Sequence, residues 1–88
     1  MTTADDVAQW MLEELTRESQ LHQHQAVFDI EGSFGETFVY QNSRGHMAIT
    51  KQVLDVFNKL TADKVVWVAR EKYWRFREDW DEHGRRQV

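Results

Sequence analysis

Residues 73–77, Tyr-Trp-Arg-Phe-Arg, alternate bulky aromatic and cationic side chains. A period of two resolves into faces only in an extended chain, which puts Trp74 and Phe76 on one side and Tyr73, Arg75 and Arg77 on the other. Upstream, Val66 and Val68 alternate with Val65 and Trp67, and Ala69-Arg70-Glu71-Lys72 separates the two stretches. The pattern predicts a β-hairpin with strands at 64–68 and 73–77. Much of the preceding chain follows helical spacing instead, so the fold must join a hairpin to helices.

Val7, Met11 and Leu15 recur every four residues, widened by Ala8, Trp10 and Leu12, and predict a first helix over about residues 4–18. Thr3 stands at its N-cap, with Asp6 as an imperfect capping-box partner and Asp5 and Asp6 at the positive end of the helix dipole. Residues 19–24 read as a turn or a short extended piece. A second helix follows over about 24–34, with Val27, Ile30 and Phe34 on one face, Phe28 beside them and Gly35 as its stop. Residues 37–40 and 46–49 flank the turn Asn42-Ser43-Arg44-Gly45 and predict a short hairpin. A third helix over about 51–60 buries Val53, Val56, Phe57 and Leu60, with Thr50 as its cap and Ile49 and Leu54 as a staple across it. After Glu78 we expect a flexible tail at 81–88, with Trp80 as its anchor and residues 1–80 as one domain.

The chain has 88 residues, no cysteine and no proline. A chain of this size buries roughly 60–65% of its unfolded surface, enough for one core of modest margin. Eleven aromatics supply large area to that core. The lack of cysteine excludes disulfides and thiolate metal sites and suits a reducing compartment. The N-terminus has neither the basic nor the apolar segment of a signal peptide, and the longest apolar run, residues 65–69, is too short for a bilayer, so we expect a cytoplasmic protein with no membrane contact.

Helix, helix, short hairpin, helix, long hairpin is an order that resembles a winged-helix domain, in which the third helix takes the recognition place and residues 64–77 form the wing. The fold expected is therefore α+β and winged-helix-like. The whole chain also resembles a family of short, uncharacterised bacterial proteins. Residues 4–11, Phe38-Val39-Tyr40 with Gly45, Ala48-Ile49, Val53-Leu54, Val66-Trp67 and Tyr73-Trp74-Arg75 carry that resemblance. It implies a fold and no activity.

Charge divides the chain. Residues 1–40 hold eight acids and one base, net −7; residues 41–88 hold ten bases and seven acids, net +3; the total is −4. Such a split suits an acidic or polyanionic partner. Tyr73, Arg75 and Arg77 share a strand face near Arg70 and Lys72, and Lys51 and Gln52 open the third helix. These seven residues form the expected binding surface, since arginines hold carboxylates or phosphates and aromatics stack. An overall acidic balance, with a pI near 5.5, disfavours a dedicated nucleic-acid binder. The first expectation is a protein-interaction or assembly module, with self-association as one form of it. The alternative is weak or auxiliary nucleic-acid binding through the third helix and the wing.

No catalytic residue is expected. The adjacent pairs Asp5-Asp6 and Glu13-Glu14 diverge by about 100° on a helix and form no dyad. No Gly-x-Ser-x-Gly elbow or phosphate loop is present. His22-x-His24 has the spacing of two ligands in an extended chain but no local third, so it reads as solvated and no metal or other cofactor is expected.

Overall fold

The computed structural model describes residues 2–62, 64–81 and 86–87. Helix α1 spans Ala4–Glu18, β1 Gln20–His22, α2 Gln23–Phe34, β2 Val39–Gln41, β3 Met47–Ile49, α3 Lys51–Thr61, β4 Val65–Val68, β5 Tyr73–Phe76 and β6 Arg86–Gln87, and a single 3₁₀ turn covers Glu36–Phe38. The class is α+β, with the three helices, the short hairpin and the C-terminal hairpin that the periodicities predict.

Helix α1 begins with a full capping box. The Asp6 amide donates to Thr3 Oγ1 at 3.3 Å, and the Thr3 amide donates back to Asp6 Oδ2 at 3.0 Å. Its apolar stripe, Val7, Met11 and Leu15, is fully buried against α3 and the sheet. Helix α2 has no side-chain cap; instead the Gln23 amide donates to the Lys72 carbonyl at 2.9 Å, which ties the helix start to the β4–β5 turn. It ends at Gly35, whose φ of 87° is readily open to glycine. Trp10 and Phe34 close the seam between α1 and α2 with an edge-on contact at 6.1 Å.

The third helix starts after Thr50 as predicted, but not for the predicted reason. The Thr50 side chain makes no capping bond, and its Oγ1 is buried without a hydrogen-bond partner. Ile49 is buried, and Leu54 packs on the core. Leu60, expected in the buried stripe, is 43% exposed; Thr61 takes the inward place and its hydroxyl donates to the Phe57 carbonyl at 2.9 Å. Phe28 on α2 also faces solvent, and the first strand of the short hairpin begins at Val39 rather than at Thr37, because the 3₁₀ turn takes up residues 36–38.

Two sheets form. In the small one, β2 pairs antiparallel with β3, Val39 opposite Ile49. In the larger one the order is β1-β5-β4-β6. Residues 20–22, expected as a turn or extended piece, are a strand paired antiparallel with β5. Strands β4 and β5 form the predicted hairpin, with Val65 opposite Phe76 and Trp67 opposite Trp74.

These registers give the larger sheet two distinct faces. Leu21, Trp74 and Trp67 lie side by side on the inner face, with Val65 and Phe76. Trp74 meets Trp67 at 4.6 Å and Phe57 of α3 edge-on at 5.5 Å. This face closes the core. The outer face carries His22, Tyr73 and Val68 in one row and Gln20, Arg75 and Val66 in the next. Phe76, on the inner face at the strand end, is only partly covered.

The tail expected at 81–88 begins with an anchored residue. Asp81 is bound to Arg75, and Arg86–Gln87 pair in parallel with β4, Trp67 opposite Arg86. Trp80, expected to anchor this segment, is 78% exposed. Residues 82–85 and 88 lie outside the described residues.

Candidate functional site

Extended backbone turns residues i and i+2 to one side, so the Tyr73 and Arg75 side chains are set together on the outer face of β5 by the same alternation that sends Trp74 inward. The His22 ring, one strand over, lies tilted against that of Tyr73 with centroids 5.0 Å apart, and the His24 ring lies 5.9 Å from that of His22. Arg75 meets Asp81 in a two-pronged pair: Nη2 donates to Oδ1 at 2.7 Å and Nη1 to Oδ2 at 2.8 Å. Arg75 Nη1 also reaches the Phe76 carbonyl at 3.2 Å. The Glu78 amide donates to Asp81 Oδ2 at 2.7 Å, so the carboxylate is gripped from two sides.

This pair is sheltered. The Arg75 side chain is 24% exposed and that of Asp81 3%. The planar guanidinium matches the carboxylate in a bidentate fork, the stronger form of such a bond. The hydrogen bonds from Arg75, then that from the Glu78 amide, pull the Asp81 carboxyl down to about 2; burial opposes this, and the charges of Arg75 and Arg77 add to it. Arg75 is raised in turn, first by its hydrogen bond to Asp81, against a desolvation cost, with the Asp81 charge and the Tyr73 phenol helping.

Val66 and Val68 lie on the same outer face and are 0% and 7% exposed, although they stand outside the main helical core. Asp81, five residues beyond β5, returns to this face and pairs with Arg75, which stands opposite Val66 in the hairpin register. A continuous apolar stretch such as Val65-Val66-Trp67-Val68 signals a strand buried on both faces. The sequence carries that signal at residues 65–68, whereas strand alternation alone turns Arg75 outward and leaves Asp81 in the expected tail.

Of the seven expected surface residues, only Tyr73 and Arg75 share the outer face of β5. Arg77 follows β5 and its charge acts on Asp81. Arg70 and Lys72 are exposed in the β4–β5 turn, and Lys72 has φ of 57°. Lys51 and Gln52 lie exposed on the first turn of α3, which packs through Phe57 against the opposite, inner face of the sheet. Lys51 pairs with Asp55 at 2.8 Å, the helical (i, i+4) arrangement. The expected residues therefore fall on separate surfaces. The acids of α1 have a base of their own: Arg17 bonds Glu14 and Glu18.

Among the described residues, His22, His24 and His46 border two clefts. His22 borders one of about 410 Å³ with Glu14, Glu18 and Asp29, and His24 and His46 border another of about 360 Å³ with Glu71 and Lys72. Among the described residues no group of three or more His, Asp or Glu side chains is arranged to hold a metal ion, and no helix is long and apolar enough to cross a membrane.

No curated protein and no solved structure matches the chain. The model of one family, described as a family of unknown function (DUF6953), matches residues 3–76, which takes in both helical faces of the core and all of the β4–β5 hairpin. The chain belongs to that family.

Proposed function

We propose that this domain is a non-enzymatic protein-interaction or assembly module of winged-helix-like build, acting in the cytoplasm. One observation carries the reading: the best-placed arginine on the wing face, Arg75, is engaged by a protein carboxylate in a sheltered bidentate pair. The wing face thus has the form of a surface that takes acidic polypeptide. Phe28 and Trp80, 72% and 78% exposed, add large apolar side chains of the kind that anchor protein contacts. The winged-helix likeness is supported by the pairing of β1, between the first two helices, with β5 of the hairpin.

Sedimentation velocity over a range of protein concentrations tests the reading. We expect concentration-dependent association that Phe28→Ser or Trp80→Ser weakens and that falls moderately with added salt, as a contact joining apolar side chains to one charged pair requires. The alternative, auxiliary nucleic-acid binding, draws on exposed Arg70, Lys72, Lys51 and Gln52. Anisotropy of a labelled duplex supports that alternative if affinity falls steeply with salt, as phosphate contacts require. A monomer at all concentrations with steep salt-dependent duplex binding would overturn the first reading.

A further inference from the structure

Three parts of the chain meet at the cleft of about 360 Å³: the start of α2, the β2–β3 turn with the start of β3, and the β4–β5 turn. Backbone bonds fix its walls. The Gln23 amide donates to the Lys72 carbonyl at 2.9 Å, and the Lys72 amide to the Val68 carbonyl at 2.8 Å. In the short hairpin the Asn42 amide donates to the His46 carbonyl at 2.7 Å, and Asn42 Oδ1 accepts from the amides of Arg44 and His46, each at 3.0 Å. The cleft is thus shaped in advance of any ligand, which lowers the cost of binding one.

The side chains that line it are mostly donors. His24, His46 and Lys72 carry N–H groups, and among the described residues none of the three side chains has a hydrogen-bond or ion-pair partner. Asn42 has spent its side-chain oxygen on two amides, so its NH₂ is what it has left to offer. Glu71 lines the same cleft and, though next to Lys72 in the chain, forms no ion pair with it. The histidines and Glu71 are not arranged to hold a metal ion, so the imidazoles are placed as donors and not as metal ligands. Lys72 also has φ of 57°, backbone that favours glycine, so a strained position carries the one ammonium of the cleft.

We propose that this cleft binds a small phosphate monoester of a hydroxylated compound, a sugar phosphate by class. A phosphate presents three strong acceptor oxygens, and Lys72, His24, His46 and Asn42 offer unspent donors from three separate elements. A carboxylate, with two oxygens in one plane, would leave more of these donors unused. Glu71 accepts from the hydroxyls of the organic part. The cleft volume falls in the roughly 300–1,000 Å³ range of small-molecule sites. The proposal goes beyond the interaction-module reading and uses none of Arg75, Phe28 and Trp80, so either can fail alone.

Amide-resolved NMR of the unaltered protein under increasing glucose 6-phosphate, at fixed pH and ionic strength, tests this. Saturable shifts at His24, His46 and Lys72 are expected with a Kd below about 1 mM, and glucose should bind at least about tenfold more weakly. Inorganic phosphate should also bind more weakly than the ester, and Glu71→Gln should narrow that gap. Lys72→Gly should weaken binding of the ester at least about tenfold. Glycine adopts φ of 57° freely, so this variant should keep or raise the melting midpoint, which separates lost binding from lost fold. His46→Ala, in the short hairpin, should weaken binding as well. Lys51→Gln, on α3 and outside the cleft, removes the same charge and should leave binding unchanged. Shifts that do not saturate or are confined to α1 or α3, equal binding of glucose and its phosphate, or unchanged binding in both Lys72→Gly and His46→Ala overturns the proposal. If Lys72→Gly does not fold, His46→Ala alone decides. A labelled duplex that displaces the sugar phosphate overturns the small-molecule assignment in favour of a nucleic-acid backbone.

Discussion

The inner and outer faces of the β1-β5-β4 sheet are built from neighbouring residues of the same strands, yet they are stabilised by different means. Trp74 and Val65 face inward and meet Phe57 and the helices. Arg75 and Val66, one position along, face outward, where Val66 is fully buried and Arg75 is bonded to Asp81 from beyond the hairpin. The inner face rests on apolar area and ring packing, which act without regard to direction. The outer face combines two buried valines with a directional, charge-assisted pair. A strand pattern can therefore be correctly phased and still mislead about which side meets water, because alternation describes direction and not cover.

The comparison breaks most sharply at Trp74. Trp74→Ala opens a cavity between Phe57 and Trp67 and should cost about 3–5 kcal/mol, enough to unfold a domain of this size. Chemical denaturation followed by far-UV dichroism checks it; a cooperative, little-shifted transition would mean that the inner face is not the core. Val66→Ala probes the outer face. Removing two buried methyl groups should cost about 1.5–3 kcal/mol. A change near zero would mean that Val66 is open to water on the outer face.

The two threonine caps sharpen a second contrast, with smaller effects. Thr3→Ala removes a reciprocal capping box and should cost roughly 1 kcal/mol. Thr50→Ala removes a hydroxyl that caps nothing and has no partner, so its cost should be within about 0.5 kcal/mol, because loss of an unsatisfied buried hydroxyl offsets the lost packing. Denaturation midpoints of the two variants, compared side by side, test this; equal losses would place a capping bond at Thr50.

Much of the fold was legible from spacing alone. The bounds of α1, the stop at Gly35 and the β4–β5 hairpin follow from local rules of period, cap and turn. What those rules could not supply was pairing between distant segments. Residues 20–22 carry one apolar side chain, Leu21, and become a strand only because β5 offers an edge to them. Asp81 sits among acidic and polar residues that read as tail, and its role depends on a partner six positions upstream on another element. Leu60 lies exposed and Thr61 is buried in its place, because the Thr61 hydroxyl satisfies itself by donating to the Phe57 carbonyl one turn back. The candidate site divided for the same reason: Tyr73 and Arg75 share a face by strand geometry, whereas Lys51 and Gln52 belong to a helix packed on the other side of the sheet.

The Arg75–Asp81 pair also fixes how stability responds to acid. The folded-state pKa of Asp81, about 2, lies below the ordinary carboxyl value of 3.8. The pair's contribution is therefore complete above about pH 4 and is lost as pH falls through about 2, because the unfolded chain takes up the proton first. The gap in melting midpoint between the unaltered protein and Asp81→Asn should narrow across that window. The most direct measurement is the titration of the Asp81 side-chain carboxyl by carbon-13 NMR in the 88-residue chain. The bidentate Arg75–Asp81 pair predicts a midpoint at about 2, moving back toward 3.8 in Arg75→Gln; a midpoint already at 3.8 in the unaltered protein would contradict it.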